Sequence, residues 1–295
     1  MYVVLGASGF LGSCLLKSIL ETTAGNVIAV ARSIKDKSAS DRVVWFECDI
    51  TKPEQVDALA QKMGQGESCK VVDLAFWHNI DTVAQYPKDA WHTNITALAA
   101  LLNKLNNISC FFFASTDCVY GEGNPGHRFQ ESDPLNPISL YGVHKATAEC
   151  LIRACGYHVL RLPYMFGPSL LPHKKHFYDS IADNLKHGKE VDLFDDSLRS
   201  SLDFKTAADI IVSMAEGFFS KFIPQTMNLC GDECLSKYDL GVLLAKKLGA
   251  PAELVRPVSS LSLATAHNAR RALNGLMDNT LLKTTLGMGE LKIKI

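Results

Sequence analysis

Net charge is almost missing from this 295-residue chain. Its 30 Lys and Arg stand against 31 Asp and Glu, so no field of one sign exists to draw in nucleic acid or an anionic membrane. Long apolar runs are missing too: stretches such as Cys110 to Ser115 are far too short to cross a bilayer. No repeat, low-complexity tract or linker marks a seam between domains. The opening residues, Met1-Tyr-Val-Val-Leu-Gly-Ala-Ser-Gly9, run straight into a strand and turn. They leave no room for the basic region and apolar stretch of a secretion signal, and the expectation is a cytoplasmic enzyme. Cysteine is present, but not in a framework. The nine residues, at 14, 48, 69, 110, 118, 150, 155, 230 and 234, are odd in number and scattered. Cys150 and Cys155 are wrongly spaced for redox chemistry, and Cys230 and Cys234 lack a second pair at zinc spacing. Reduced structural thiols and no metal are expected.

With 47% hydrophobic and 21% charged residues, the chain can bury one large domain or a domain plus a lobe. Short apolar runs alternate with helical patterns. Strands are expected at Tyr2 to Leu5, Asn26 to Ala31, Val43 to Glu47, Lys70 to Ala75, Cys110 to Ala114 and His158 to Leu162. Between them fall helices at Leu11 to Glu21, Pro53 to Lys62, Asp89 to Leu105 and from Leu140. Buried runs joined by helices predict an α/β fold, a Rossmann-type doubly wound parallel sheet. After Gly167-Pro168 the alternation loosens through Pro172-His-Lys-Lys-His176. Strands at Val191 to Phe194 and Thr226 to Leu229, with helices at Phe177 to His187, Ala207 to Phe218 and Lys237 to Leu248, read as a smaller C-terminal substrate-binding lobe. The expected division is residues 1–165 for the dinucleotide and catalytic residues and 166–295 mainly for substrate, with the two interleaved.

Gly6-Ala-Ser8-Gly9-Phe10-Leu11-Gly12 stands where the first strand becomes the first helix. In that place the first glycine permits the tight turn, the second the close approach of a pyrophosphate, and the third close packing of helix on strand. The end of the second strand selects the dinucleotide. A site for NAD usually carries an acid there, whereas this chain reads Ala31-Arg32-Ser33 with Lys35 and Lys37 close behind. A planar guanidinium suits a 2′-phosphate, so NADP(H) is preferred and NAD(H) possible. Asp49 and Ile50, after the third strand, are expected at the adenine edge, and Ala75 and Phe76, after the fourth, beneath the cofactor.

Ser115-Thr116 follows an apolar strand, at the sheet edge where open α/β folds hold ligands. Roughly twenty-five residues later comes Tyr141-Gly-Val-His-Lys145, whose spacing puts phenol and ammonium on one helical face. Tyr141 is the expected proton donor to a carbonyl oxygen, Thr116 its orienting hydroxyl, and Lys145 the group that binds ribose and tunes the phenol. A nearby ammonium and an oxidised nicotinamide are expected to lower the tyrosine towards the working range.

On these motifs the chain resembles the extended short-chain dehydrogenase/reductase family across nearly its whole length. Asn94 in Trp91-His-Thr-Asn94, the segment Glu131 to Pro137, and Arg161-Leu-Pro163-Tyr164-Met-Phe-Gly-Pro168 carry the match further. The resemblance implies that Asn94 supports the site through water or backbone, and that Pro163 and Tyr164 flank the nicotinamide. Ser115-Thr116-Asp117 before Val-Tyr, with Leu276 to Leu282, is most similar to the dTDP-4-dehydrorhamnose reductase group. That implies reduction of a nucleotide-linked 4-keto sugar, with Arg199 near the substrate phosphates. Lys205-Thr-Ala-Ala-Asp209 departs from the group's pattern. A second resemblance, to the GDP-fucose synthase group, rests on Cys118 and His176 and implies an epimerising proton-transfer pair. Many relatives pair through the helices bearing Asn94 and Tyr141, which implies a homodimer. The competing readings are an epimerase or dehydratase that recycles its cofactor, and a noncatalytic NADP-sensing protein.

Overall fold

Strands rich in Val, Ile and Phe, each followed by an amphipathic stretch, give a parallel sheet covered on both faces. The computed structural model describes residues 1–35, 40–217, 222–263 and 269–295; Lys37 and Phe218, named above, lie outside them. The first half runs β1 (Tyr2–Leu5), α1 (Phe10–Thr22), β2 (Val27–Ala31), β3 (Val43–Glu47), α2 (Pro53–Gly64) and β4 (Cys69–Asp73). It continues through α3 (Ile80–Gln85), α4 (Pro87–Trp91), a π-helical stretch (His92–Ala97), α5 (Leu98–Lys104), β5 (Ile108–Thr116), α6 (Leu140–Ala154) and β6 (His158–Leu162).

The strands order as β6, β5, β4, β1, β2, β3, and a seventh strand, Thr226–Asn228, lies outside β6. Every pairing in this sheet is parallel. The chain leaves β1 towards β3 on one side and returns at β4 to build the other. Loops therefore part above β1 and β4, the crevice in which such sheets bind ligands. The placement of Thr226–Asn228 corrects the reading of that segment as part of the second lobe: it pairs with β6 from Val159 to Arg161.

Alternation along each strand splits the core in two. Tyr2, Val4, Ala29, Val72 and Phe112 face α1 and α8 (Phe204–Gly217, after α7, Phe177–Lys186), whereas Val3, Leu5, Ile28, Val71 and Phe113 face α2, α5 and α6. Leu15 and Ile19 of α1 and Ile211 and Met214 of α8 are fully buried in the first of these. Each such side chain contributes roughly 1.5–3 kcal/mol. A third core joins α7, α9 (Lys237–Leu248) and the paired strands Val191–Phe194 and Val255–Val258. That lobe stands over one end of the sheet's ligand edge.

The helix expected over Asp89 to Leu105 is broken into α4, the π-helical stretch and α5, and α3 precedes it unforeseen. β5 reaches Thr116 rather than ending at Ala114, and β4 stops at Asp73 rather than Ala75.

Candidate active site

The glycine turn is shaped by close approach. Gly6 has φ +78, and its N–H and that of Ala7 donate to the Val30 carbonyl. A Cβ on Gly12 would stand 2.5 Å from the Gly6 carbonyl oxygen, so only hydrogen fits. Gly9 caps α1 without a side-chain bond, and no acid lies in the first turn. The helix therefore offers free N–H groups and its positive end to an anion, and the turn fits a dinucleotide's pyrophosphate. Arg32 follows β2 and reaches the neighbourhood of Asp49. Burial opposes the Asp49 carboxylate, but two donors from Thr51, at 2.7 and 3.0 Å, together with Arg32 and Lys52 hold it below its ordinary range.

Thr116 ends β5 and caps the short turn Asp117–Val119, accepting from the Cys118 N–H at 3.3 Å and donating to Asp117 Oδ1 at 2.8 Å. Ser139 caps α6, accepting from the Gly142 N–H. A Cβ on Gly142 would lie 2.6 Å from the Cys118 carbonyl oxygen. This contact of α6 with the strand end sets Tyr141 beside Thr116. One turn on, the Lys145 ammonium donates to the Ala114 carbonyl and sits 3.7 Å and 4.4 Å from the ring centres of Phe76 and Phe113. The structure thus gathers Thr116, Tyr141 and Lys145 at one edge of the sheet.

In the chain itself Tyr141 moves opposite to the expected lowering. Burial pushes the phenol up, Cys118 and Asp117 add to it, and only the neighbouring Thr116 opposes. Lys145 lies over rings instead of stabilising a phenolate. Burial also pulls Lys145 down and pushes Asp73 up, each resisted by the other's charge. Asp73 was not singled out from sequence, although a carboxylate closing the apolar run Val71-Val72 is the signal that could have found it.

Asn94 acts through backbone. From the π-helical stretch its amide accepts from the Trp77 N–H at 2.8 Å and donates to the Trp77 carbonyl at 3.1 Å, fixing the loop after β4. Ala75 is the second residue of that loop, its N–H bonded to Asp73 Oδ1, and Phe76 faces Tyr141 edge-on at 6.1 Å.

A cavity of about 670 Å³ opens beside the trio, lined by Thr116, Cys118, Tyr141, Pro163 and Tyr164 on the sheet side. Arg199, Lys237 and Arg271 also line it, as does His78, likewise missed from sequence. Arg199 is committed to Asp117, Nε to Oδ2 at 2.7 Å, and Arg271 pairs with Asp81. Lys237 has no carboxylate within ion-pair distance among the described residues. Instead it lies 5.1–5.5 Å from the rings of Tyr164, Phe177 and Phe194. Burial lowers its ammonium, and Arg271 and Arg199 lower it further.

The structure does not bring His176 to Cys118, which corrects their expected pairing. His176 caps α7, accepting from the Tyr178 N–H, and wedges edge-on between Phe10 and Phe204, both at 4.9 Å. It is absent from the cavity wall because the capping bond and these rings hold it on the glycine-turn side. Cys118 does line the cavity, but its thiol is pushed up to about 12, by burial and then by Asp117. It is a poor base as it stands.

A glycine turn that fits a dinucleotide, with a Tyr and a Lys one helical turn apart beside a Thr, defines an enzyme of the extended short-chain dehydrogenase/reductase class, whose members are NAD(P)-dependent. Comparison with known proteins agrees. The family model for the RmlD substrate binding domain matches residues 1–292, and the chain belongs to that family. Among curated relatives, the bovine methionine adenosyltransferase 2 subunit beta is 27% identical over 233 residues, spanning 75% of this chain and 65% of its own length. Two solved structures share the fold. A hypothetical dTDP-4-dehydrorhamnose reductase from Sulfolobus tokodaii has a TM-score of 0.79 at 22% identity, covering 99% of this chain and 97% of that one. The dTDP-4-dehydrorhamnose reductase of Bacillus anthracis, in complex with NADP, has a TM-score of 0.78 at 16% identity, covering 98% and 94%.

Proposed function

We propose that this protein reduces the 4-keto carbon of a nucleotide-linked sugar with NADPH, a reading supported by the likeness of its fold to proteins named as dTDP-4-dehydrorhamnose reductases, one of them in complex with NADP. The observation carrying this reading is the lining of the cavity, which combines two hydroxyls, Thr116 and Tyr141, with Lys237, a cation that has no carboxylate within ion-pair distance among the described residues. A sugar ketone suits the first and a diphosphate the second.

Bound NADPH supplies the hydride for the carbonyl carbon. Tyr141 gives its proton to the carbonyl oxygen as charge develops there, and Thr116 holds that oxygen in line. Tyr141 keeps its proton at neutral pH and so stands in the acid form this direction needs, while the burial that raises it makes the transfer harder rather than easier. Gly6, Ser8, Gly9, Phe10, Leu11 and Gly12 would cradle the pyrophosphate. Asp49 and Ile50 would lie by the adenine, and Ala75, Phe76, Asn94, Pro163 and Tyr164 along the ribose and nicotinamide. NADP is favoured over NAD by Arg32, which stands where an acid would receive ribose hydroxyls. Arg199 would balance the charge of Asp117, which also lines the cavity, and Lys237 would meet the phosphates.

The test is oxidation of NADPH or NADH, followed by absorbance, with a panel of nucleotide 4-keto sugars and simple ketones. Turnover with NADPH and a sugar nucleotide, falling by about 10²-fold or more in Tyr141→Phe, is the expected result. Tightly retained NAD and no net oxidation would favour a cofactor-recycling epimerase. A second reading is a noncatalytic dinucleotide-binding subunit, supported by the relatives named as a subunit of another enzyme. It predicts dinucleotide binding with no turnover on any ketone, and no effect of Tyr141→Phe. A homodimer through α4 to α6 completes the proposal, supported by the exposure of Trp91 (44%) and Val143 (39%) on those helices.

A further inference from the structure

Two ring faces and one carbonyl surround the Lys145 ammonium, and these do not balance a full charge in a site closed to water. Two carboxylates act on it: Glu149, one turn further along α6, and Asp73, at the end of β4. Glu149 is already engaged. It receives Arg161 at 2.7 Å, Arg153 at 2.9 Å and the Ser115 hydroxyl at 2.5 Å. Asp73 is not. It is 1% exposed, its Oδ1 accepts only the Ala75 N–H at 2.9 Å, and its Oδ2 meets no donor. Register places Asp73 beside Phe113, whose ring lies beneath the ammonium.

We propose that Asp73 is a positioning residue, the buried counter-charge that keeps Lys145 an ammonium at the nicotinamide end of the site. The inference rests on the reading that Lys145 serves a bound dinucleotide. The other titratable groups near Lys145 are Tyr141, one turn before it on α6, and His78, on which its charge also acts. Without Asp73's charge, only Glu149, shared with two arginines, opposes the burial of Lys145, and the side chain sheds its proton at lower pH. A neutral amine has one hydrogen fewer for ribose hydroxyls and no charge at the nicotinamide end of the site.

Asp73→Asn tests this while keeping an acceptor for the Ala75 N–H, so the turn after β4 survives. The readouts are the pH profile of kcat/KM for ketone reduction and NADPH affinity by fluorescence between pH 6 and 9. The alkaline limb should move to lower pH, so that activity at pH 8 falls about tenfold more than at pH 6, with affinity weakening in the same window. Profiles lowered evenly, or unchanged, would mean that Asp73 only shapes the turn, and the proposal fails. A second arm needs neither substrate nor the Asn variant. In carbon-13 carboxyl NMR, the Asp73 signal should titrate at higher pH in Lys145→Met than in the native chain, and an unmoved titration overturns the pairing. Because that arm reads charge coupling alone, it stands or falls independently of whether the protein proves to be a reductase.

Discussion

Gly12 shows how a single residue constrains the cofactor turn. A methyl there would meet the Gly6 carbonyl oxygen at 2.5 Å and the Ala7 backbone at 2.8 Å, and neither can withdraw without opening the turn. Overpacking of this kind costs about 1–3 kcal/mol. Gly12→Ala should therefore lower the melting temperature by several degrees and weaken NADPH binding about tenfold or more, as read by thermal melting and fluorescence titration. Native affinity in the variant would place the pyrophosphate elsewhere. The three glycines, like Thr116, Tyr141 and Lys145, could be found from spacing because strand-turn-helix geometry dictates it. Asp73 and Lys237 could not. The importance of Asp73 emerges only in the fold, where its Oδ2 meets no donor while Glu149 is taken by two arginines on α6 and β6. The rings around Lys237 arrive from three other segments. Tyr141 misled for the same reason: adjacency to Lys145 on a helix says nothing of the carbonyl and rings that claim the ammonium.

Elements were legible where one periodicity held from cap to cap. α9 matched its expected range because Ser236 and Asp239 form a reciprocal capping box, and Phe177 opens α7 behind a His176 cap. The run from Asp89 failed because an apolar stripe is blind to one wider turn. The π-helical stretch keeps the same side chains inward while turning Asn94 onto the Trp77 backbone. That element also bears on assembly. Trp91 packs edge-on against His144 of α6 at 5.3 Å, joining α4 to α6 into one face, while staying 44% exposed. Sedimentation velocity should show a dimer, and Trp91→Glu should shift it to monomer by placing charge in an apolar contact. A native chain that sediments as a monomer at micromolar concentration removes this part of the proposal.

At the scale of the whole molecule, the expected boundary near residue 165 divides roles more than it divides structure. Residues 1–165 include β1 to β6 but lack the strand Thr226–Asn228 that covers the β6 edge. They also lack α8, whose Ala207, Ile211, Met214 and Ala215 are fully buried in the core shared with α1. Cutting there leaves Leu15, Ile19 and Leu160 without their cover, and an unpaired parallel strand at the edge. At roughly 1.5–3 kcal/mol for each large side chain returned to water, the loss rivals the whole stability of an ordinary domain. A fragment of residues 1–165 should therefore bind a hydrophobic dye and melt without a cooperative transition, even though it carries the glycine turn and the Thr116, Tyr141 and Lys145 trio. A cooperative melt near that of the intact chain would mean that the first half folds alone, and that the seventh strand and α8 are additions to a self-sufficient sheet. The smaller lobe then could be exchanged without disturbing the dinucleotide site, whereas interleaving ties the substrate cavity to the integrity of the sheet edge beneath it.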